Sequence, residues 1–210
     1  MELLEKVLNG SNIADAMKKV ISNKGAGGID NISTKQFEEQ FKNGEINFEE
    51  IKELIRTRKY KPSPVKRVYI PKENGDKRSL GIPNVLDRII QQAIMQVLTP
   101  IYEKQFSEYS YGFRPNRSCE QAVIKLLEYF NDGNTWVVDI DLEKFFDNVC
   151  YDKLIAIIMK TIHDGKLVSL IRKYLVSGVL ENGFTQTTKV GTPQGGSLTP
   201  LLSNVMLNEL

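Results

Sequence analysis

Two of the four Asn-Gly pairs, those at 74–75 and 182–183 between runs of strand-forming residues, constrain the fold of this chain more than any other feature. Asn and Gly tolerate the positive φ that a tight hairpin turn demands, so each pair predicts a β-hairpin. Val65–Pro71 and Lys77–Ile82 read as the strands of the first; the second runs to Val190. Elsewhere apolar residues recur at helical spacing. Helices are predicted over Glu2–Ile21, Asp30–Gln40, Phe48–Lys59, Asn84–Leu98, Ser118–Phe130, Tyr151–Thr161 and Lys166–Val176, and from Leu198 onward. Ser118 followed by Gln121 is a capping box. Pro62 and Pro64 end one helix, and Pro100 ends or restarts another. Gly25, Gly27 and Gly28 predict a flexible loop, and Tyr109–Arg117 a polar, aromatic one. Thr135–Asp141 reads as a buried strand, with Trp136, Val138 and Ile140 on one face and Val137, Asp139 and Asp141 on the other.

Charge is unevenly distributed. Residues 52–78 hold ten Lys or Arg against three acids, a net +7, which leaves −5 for the rest of a chain whose total is +2. Such a block is either a solvated basic surface or the footprint of a polyanion. An apolar content of 41% describes a globular chain rather than a disordered one. Cys119 and Cys150 are far apart and form no CxxC pair, which speaks against a zinc site and suits a reducing cytoplasm. The N-terminus lacks the pattern of a signal peptide, and no apolar run is long enough to span a membrane.

Four stretches concentrate chemistry. Val138-Asp139-Ile140-Asp141-Leu142-Glu143-Lys144-Phe145-Phe146-Asp147 sets carboxylates beside two aromatics. A buried carboxylate needs a cation, either a lysine or a hard metal ion such as Mg²⁺. Gly191-Thr192-Pro193-Gln194-Gly195-Gly196-Ser197 precedes a helix, so it is either a cap with Ser197 at the N-cap or a close approach of backbone to an anion. Lys72 and Arg78 flank the first hairpin turn as phosphate ligands or as two exposed cations. Tyr109–Ser118 interleaves aromatics with Arg114 and Arg117, which suits stacking on bases or packing of the loop itself. His163 is the only histidine, so a histidine-based nucleophilic triad has no candidate.

The order of these stretches is more specific than any one of them. A basic hairpin, then Tyr-Gly-Phe-Arg-Pro at 111–115, then the Asp139–Asp147 run, then Pro193-Gln194-Gly195-Gly196 with Leu198-Thr199-Pro200-Leu201-Leu202 resembles the ordered blocks of group II intron reverse transcriptases, or maturases. The likeness spans nearly the whole chain from Lys24–Asp30 onward. It implies an α+β fold: right-hand polymerase fingers and a partial palm, with an antiparallel palm sheet backed by helices. The implied division is an N-terminal extension over 1–34, fingers over 35–130 and palm over 131–210. It also implies RNA-directed DNA polymerase activity, with Mg²⁺ as the cofactor and a deoxynucleoside triphosphate as the substrate.

Residue roles follow from the same resemblance. Asp141 corresponds to the first metal-binding aspartate, with Asp139 as the alternative and the Leu142 carbonyl as a further ligand. Phe146 corresponds to the aromatic that rejects a ribose 2′-hydroxyl. Lys72, Arg78 and Gln194 correspond to nucleotide-binding residues. Lys24, Lys59, Lys61, Lys66, Arg67, Arg114 and Arg117 are the expected RNA contacts. The implied partners are intron RNA and an RNA template with a DNA primer. Self-association is expected to use the helices at 84–98 and 118–130. The family's second metal motif, Tyr-x-Asp-Asp, is expected after Leu210, so these residues alone are expected to be inactive. The alternatives are a non-catalytic RNA-binding scaffold and a reverse transcriptase of another bacterial lineage.

Overall fold

The computed structural model describes residues 2–71, 75, 77–186, 191 and 195–209, and only the backbone of Arg78. Chain order runs α1 (Leu3–Val7), α2 (Gly10–Ser22), α3 (Thr34–Lys42), α4 (Phe48–Arg56), β1 (Val65–Pro71), β2 (Lys77–Ile82), α5 (Val85–Tyr102) and α6 (Cys119–Asn131). It continues through α7 (Phe145–Asn148), α8 (Tyr151–Thr161), α9 (Gly165–Leu175), β3 (Val179–Glu181), β4 (Phe184–Gln186) and α10 (Thr199–Leu207). The expected first helix divides at Asn9, whose side chain accepts from the Ser11 N–H at 2.9 Å and starts α2 afresh. Ser33 with Gln36, and Ser118 with Gln121, close capping boxes at α3 and α6. Pro100 does not end α5. It lies within the last turn, where its missing N–H removes a single intrahelical bond.

The fold is α+β, with one four-stranded sheet in the order β2-β1-β3-β4. β1 pairs antiparallel with β2, from Lys66 opposite Ile82 to Pro71 opposite Lys77. It pairs parallel with β3 at Val65–Val179, so the sheet is mixed rather than wholly antiparallel. Asn182 and Gly183 turn β3 into β4 at φ of 50° and 83°, the left-handed pair that an Asn-Gly hairpin requires. Residues 187–190, expected to extend β4, lie outside the described residues.

The strand expected over Thr135–Asp141 does not form. Its backbone has no regular structure, and Trp136, Val138 and Ile140 are 93%, 84% and 80% exposed. A strand exists only where a neighbour takes its N–H and C=O groups. None of the four described strands pairs with this run, so the alternation remains a pattern without a partner. Asp139 and Asp141 are accordingly exposed, not buried. α6 before it buries none of its residues, and Val123, Ile124, Leu127 and Phe130 all face outward.

α5 is the centre of the core. It packs against α1, α2 and α10, and Ile89, Ile90, Ala93, Ile94 and Leu98 are sealed from solvent. Each buried Leu or Ile contributes about 1.5–3 kcal/mol. That rules out α5 as a docking face for a second copy, because exposing it would forfeit several such terms. Among the described residues, no helix is long and apolar enough to cross a membrane.

The glycines at 25–28 form a packed joint, not the flexible loop expected. A Cβ on Gly28 would lie 2.2 Å from Asn84 Oδ1 and 2.6 Å from the Asn84 backbone nitrogen, and one on Gly25 would meet the Arg88 guanidinium at 2.4 Å. Only glycine lets this loop approach the start of α5 so closely. There Asn84 accepts from the Ile29 N–H at 2.9 Å and donates to Ser63 Oγ at 3.1 Å. One turn on, Asp87 is buried and accepts from the Tyr60 hydroxyl at 2.6 Å and the Ser63 N–H at 3.2 Å.

Burial pushes the Asp87 carboxyl up to about 6 from its ordinary 3.8, although Tyr60 and Ser63 oppose the shift. A carboxyl whose folded pKa is raised favours the folded state at low pH, and that advantage is lost as pH rises from about 4 through 6. Wild type should therefore lose stability relative to Asp87→Asn over that window, on the order of 2–3 kcal/mol. Urea midpoints at pH 4 and pH 7 measure the gap. A gap that does not change with pH would contradict the assignment.

Candidate functional site

The structure brings three of the four sequence blocks into contact through glycine backbones, and α10 ties in the fourth. The Asp139–Asp147 run ends in α7, where Lys144 takes a left-handed φ of 48° and starts the helix. Phe145 packs on the core, while Phe146 meets it edge-on with ring centroids 5.5 Å apart. Directly after α7, the Val149 carbonyl accepts from the Gly191 N–H at 2.9 Å, and the Gly191 carbonyl accepts from the Tyr151 hydroxyl at 2.6 Å. A Cβ on Gly191 would approach the Asp147 carbonyl oxygen to 2.9 Å.

At the far side of the same block, Gly195 adopts a φ of +126° and lies on the first hairpin. A Cβ there would be 2.4 Å from the Gly81 carbonyl oxygen of β2. Gly196 is held as closely to Gln91 of α5, where a Cβ would meet Oε1 at 2.5 Å. Gly191 is therefore held against the end of α7, and Gly195 against β2. Ser197 is not the N-cap of α10; Leu198 takes that position, and no side chain caps the helix. Asn204 of α10 donates to the Gly112 carbonyl at 2.8 Å and so fixes the Tyr109–Ser118 loop to the same helix.

The expected site residues divide into three groups. Phe146 lies in α7 next to Asp147, whose backbone Gly191 approaches, while Asp139, Asp141 and the half-exposed Leu142 lie on the unpaired run leading into α7. Neither aspartate makes an ion pair or hydrogen bond among the described residues. Lys24, Lys59 and Lys61 are exposed, and Arg67 is half-buried. Lys66 donates to Asn31 Oδ1 at 2.7 Å and Arg117 to the Glu108 carbonyl at 3.2 Å. Lys72, Gln194 and the Arg78 side chain lie outside the described residues.

Arg114 is corrected from an RNA contact to a structural residue. Its side chain is 4% exposed. The guanidinium donates to the Glu103 carboxylate at 3.1 Å and to the Ser107 and Ser110 carbonyls at 2.6 and 2.8 Å. It also stacks over Phe106 at 5.2 Å. A cation already paired inside has no free donors for a phosphate.

Asp139 and Asp141 are hard oxygen donors of the type that suits Mg²⁺. Among the described residues no three acidic, histidine or cysteine side chains gather into a metal-holding group. The donor chemistry of the two carboxylates suits an ion whose shell phosphate oxygens complete.

Comparison with known proteins decides the family. Residues 70–210 match the family described as reverse transcriptase (RNA-dependent DNA polymerase). The chain belongs to the reverse transcriptase family, in its group II intron branch. It is 43% identical over 199 residues to the group II intron-encoded protein LtrA of Lactococcus lactis subsp. cremoris, covering 93% of this chain and 32% of that one. It is 34% identical over 213 residues to Protein YkfC of Escherichia coli K12, covering 99% of this chain and 55% of that one. Nuclear intron maturase 2, mitochondrial, of Arabidopsis thaliana is 34% identical over 107 residues, covering 49% of this chain and 14% of that protein. The chain thus spans about half or less of the length of these relatives. A chain of a partial Cas6-RT-Cas1–Cas2 complex superposes with a TM-score of 0.63 at 22% identity, over 100% of this chain and 34% of that one, which is a likeness of fold. Dependence on a divalent metal is general in the family.

The glycine contacts can be tested directly. Gly195→Ala should destabilise the chain by roughly 2–4 kcal/mol, because it adds strain at positive φ to a clash with backbone. Gly10→Ala, where a Cβ meets nothing within 4 Å, serves as the control and should change little. Equal urea midpoints for the two variants would show that Gly195 and Gly81 are not in contact.

Proposed function

We propose that this chain is the fingers and first palm portion of a group II intron reverse transcriptase, and that it binds intron RNA and template through its basic face. The observation that supports this most is the pair of backbone contacts that hold Gly191 against the end of α7 and Gly195 against β2. These contacts bring Asp147, at the end of the run that carries Asp139 and Asp141, to Gly191, and Gly81 of the basic hairpin to Gly195, although the segments lie far apart in sequence. Asp141, with Asp139 and the Leu142 carbonyl, would hold Mg²⁺. Such an ion stabilises charge on phosphate oxygens when bound. Lys72 and Arg78 would grip the triphosphate, Gln194 would line the nucleotide pocket, and Phe146 would lie under the sugar and exclude a ribose 2′-hydroxyl. The reaction is attack of the primer 3′-hydroxyl on the α-phosphate, with pyrophosphate leaving. The chain's own contribution is positioning and charge.

Lys24, Lys59 and Lys61 are exposed cations, the last two close in sequence to the basic hairpin, and suit phosphate contact. Binding of the chain to a structured intron RNA and to a scrambled RNA of equal length, across a salt series, tests the reading. Lys59→Ala with Lys61→Ala should weaken both complexes and lower the salt slope by about 2. An unchanged slope would remove these lysines from the interface. In primer extension, residues 1–210 alone should give no metal-dependent synthesis, since their carboxylates serve one ion; product formation would overturn that expectation.

A further inference from the structure

A groove of about 840 Å³ opens where α2, α5, α10 and the Tyr109–Ser118 loop meet. Its wall includes Phe113, Asn116, Lys19, Lys104 and Pro200. Pro200 is in the first turn of α10, so the groove adjoins the glycine turn of the candidate site. Three observations about Phe113 stand together. Its backbone has a φ of 55°, a left-handed conformation that a bulky side chain takes only under strain. Its ring is 75% exposed, so burial does not compensate that strain. Its neighbours on both sides are fixed, Gly112 by Asn204 and Arg114 by Glu103, Ser107 and Ser110. Asn116, three residues on, repeats the left-handed conformation with a φ of 61°. The loop is therefore a rigid mount holding one aromatic ring in solvent.

The charge around the ring indicates the ligand. Glu103 is consumed by Arg114, whereas Lys19 and Lys104 are exposed and make no ion pair among the described residues. The rim is therefore positive beside a planar apolar face. We infer that Phe113 is a stacking platform for a base of single-stranded RNA, whose phosphates run past Lys19 and Lys104. The inference rests on the RNA-binding reading above and adds a specific base contact to it. Every base has a face to stack, so the contact tolerates sequence and depends on the presence of a base.

The test compares the full chain with Phe113→Ala and Phe113→Tyr. The probes are a fluorescein-labelled single-stranded RNA of about 20 nucleotides and an abasic strand of equal length. Phe113→Ala should weaken RNA binding roughly tenfold, while Phe113→Tyr stays within about twofold of wild type. Wild type and Phe113→Ala should bind the abasic strand equally, and the alanine variant should keep its salt slope. Phe113 is exposed, so both variants should retain the circular dichroism melt of wild type. Equal binding of RNA by wild type and Phe113→Ala would overturn the inference and leave the RNA-binding reading intact. An equal loss on the abasic strand would also overturn it, since the ring would then be acting on the loop and not on a base. If wild type binds neither strand, the RNA-binding reading falls and the platform with it.

Discussion

The first turn of α5 is the point on which the structure depends. It holds a carboxylate, Asp87, away from water and satisfies it with Tyr60 and the Ser63 N–H. It also presents Asn84 to the loop before α3 and to Ser63. A buried polar group without partners is costly, so these bonds fix where the N-terminal helices and the 60–64 segment must lie. The segment after Tyr60 leads directly into β1, and so this turn also aims the basic hairpin.

The candidate site is assembled by absence of side chains as much as by their presence. Gly191, Gly195 and Gly196 approach α7, β2 and α5 respectively at distances a Cβ would forbid. Backbone contact of this kind is stiff, which suits a reaction whose protein contribution is positioning. By contrast, the aspartates on the run into α7 are the least supported part of the site. Their carboxylates face solvent, and the apolar residues between them are uncovered. The apolar residues of α6, which precedes this run in sequence, are likewise exposed.

Aromatic and cationic residues of the Tyr109–Ser118 loop separate into two roles that sequence alone leaves mixed. Arg114 turns inward and braces the loop through Glu103 and Phe106. Arg117 lies over Tyr111 at 5.5 Å, and Phe113 remains outside. The same residue types serve packing and presentation, and only their hydrogen-bond partners tell them apart.

Much was legible without coordinates. Both hairpins, the capping box at Ser118, and the helices of the core follow from local rules: Asn-Gly turn chemistry, capping side chains and apolar periodicity. The order of motifs likewise identified the family. What sequence could not decide were the non-local matters. The alternation at 135–141 signals a strand, yet a strand requires a partner, and pairing belongs to the tertiary structure. Gly25, Gly27 and Gly28 signal freedom, yet close approach of Gly25 to Arg88, of Gly28 to Asn84 and of Gly27 to Asn31 and Ile32 makes them a joint. Arg114 and Lys59 carry the same charge, and burial alone separates a structural cation from a free one. Local propensity is written residue by residue; which surfaces meet is set by the packing of the whole chain.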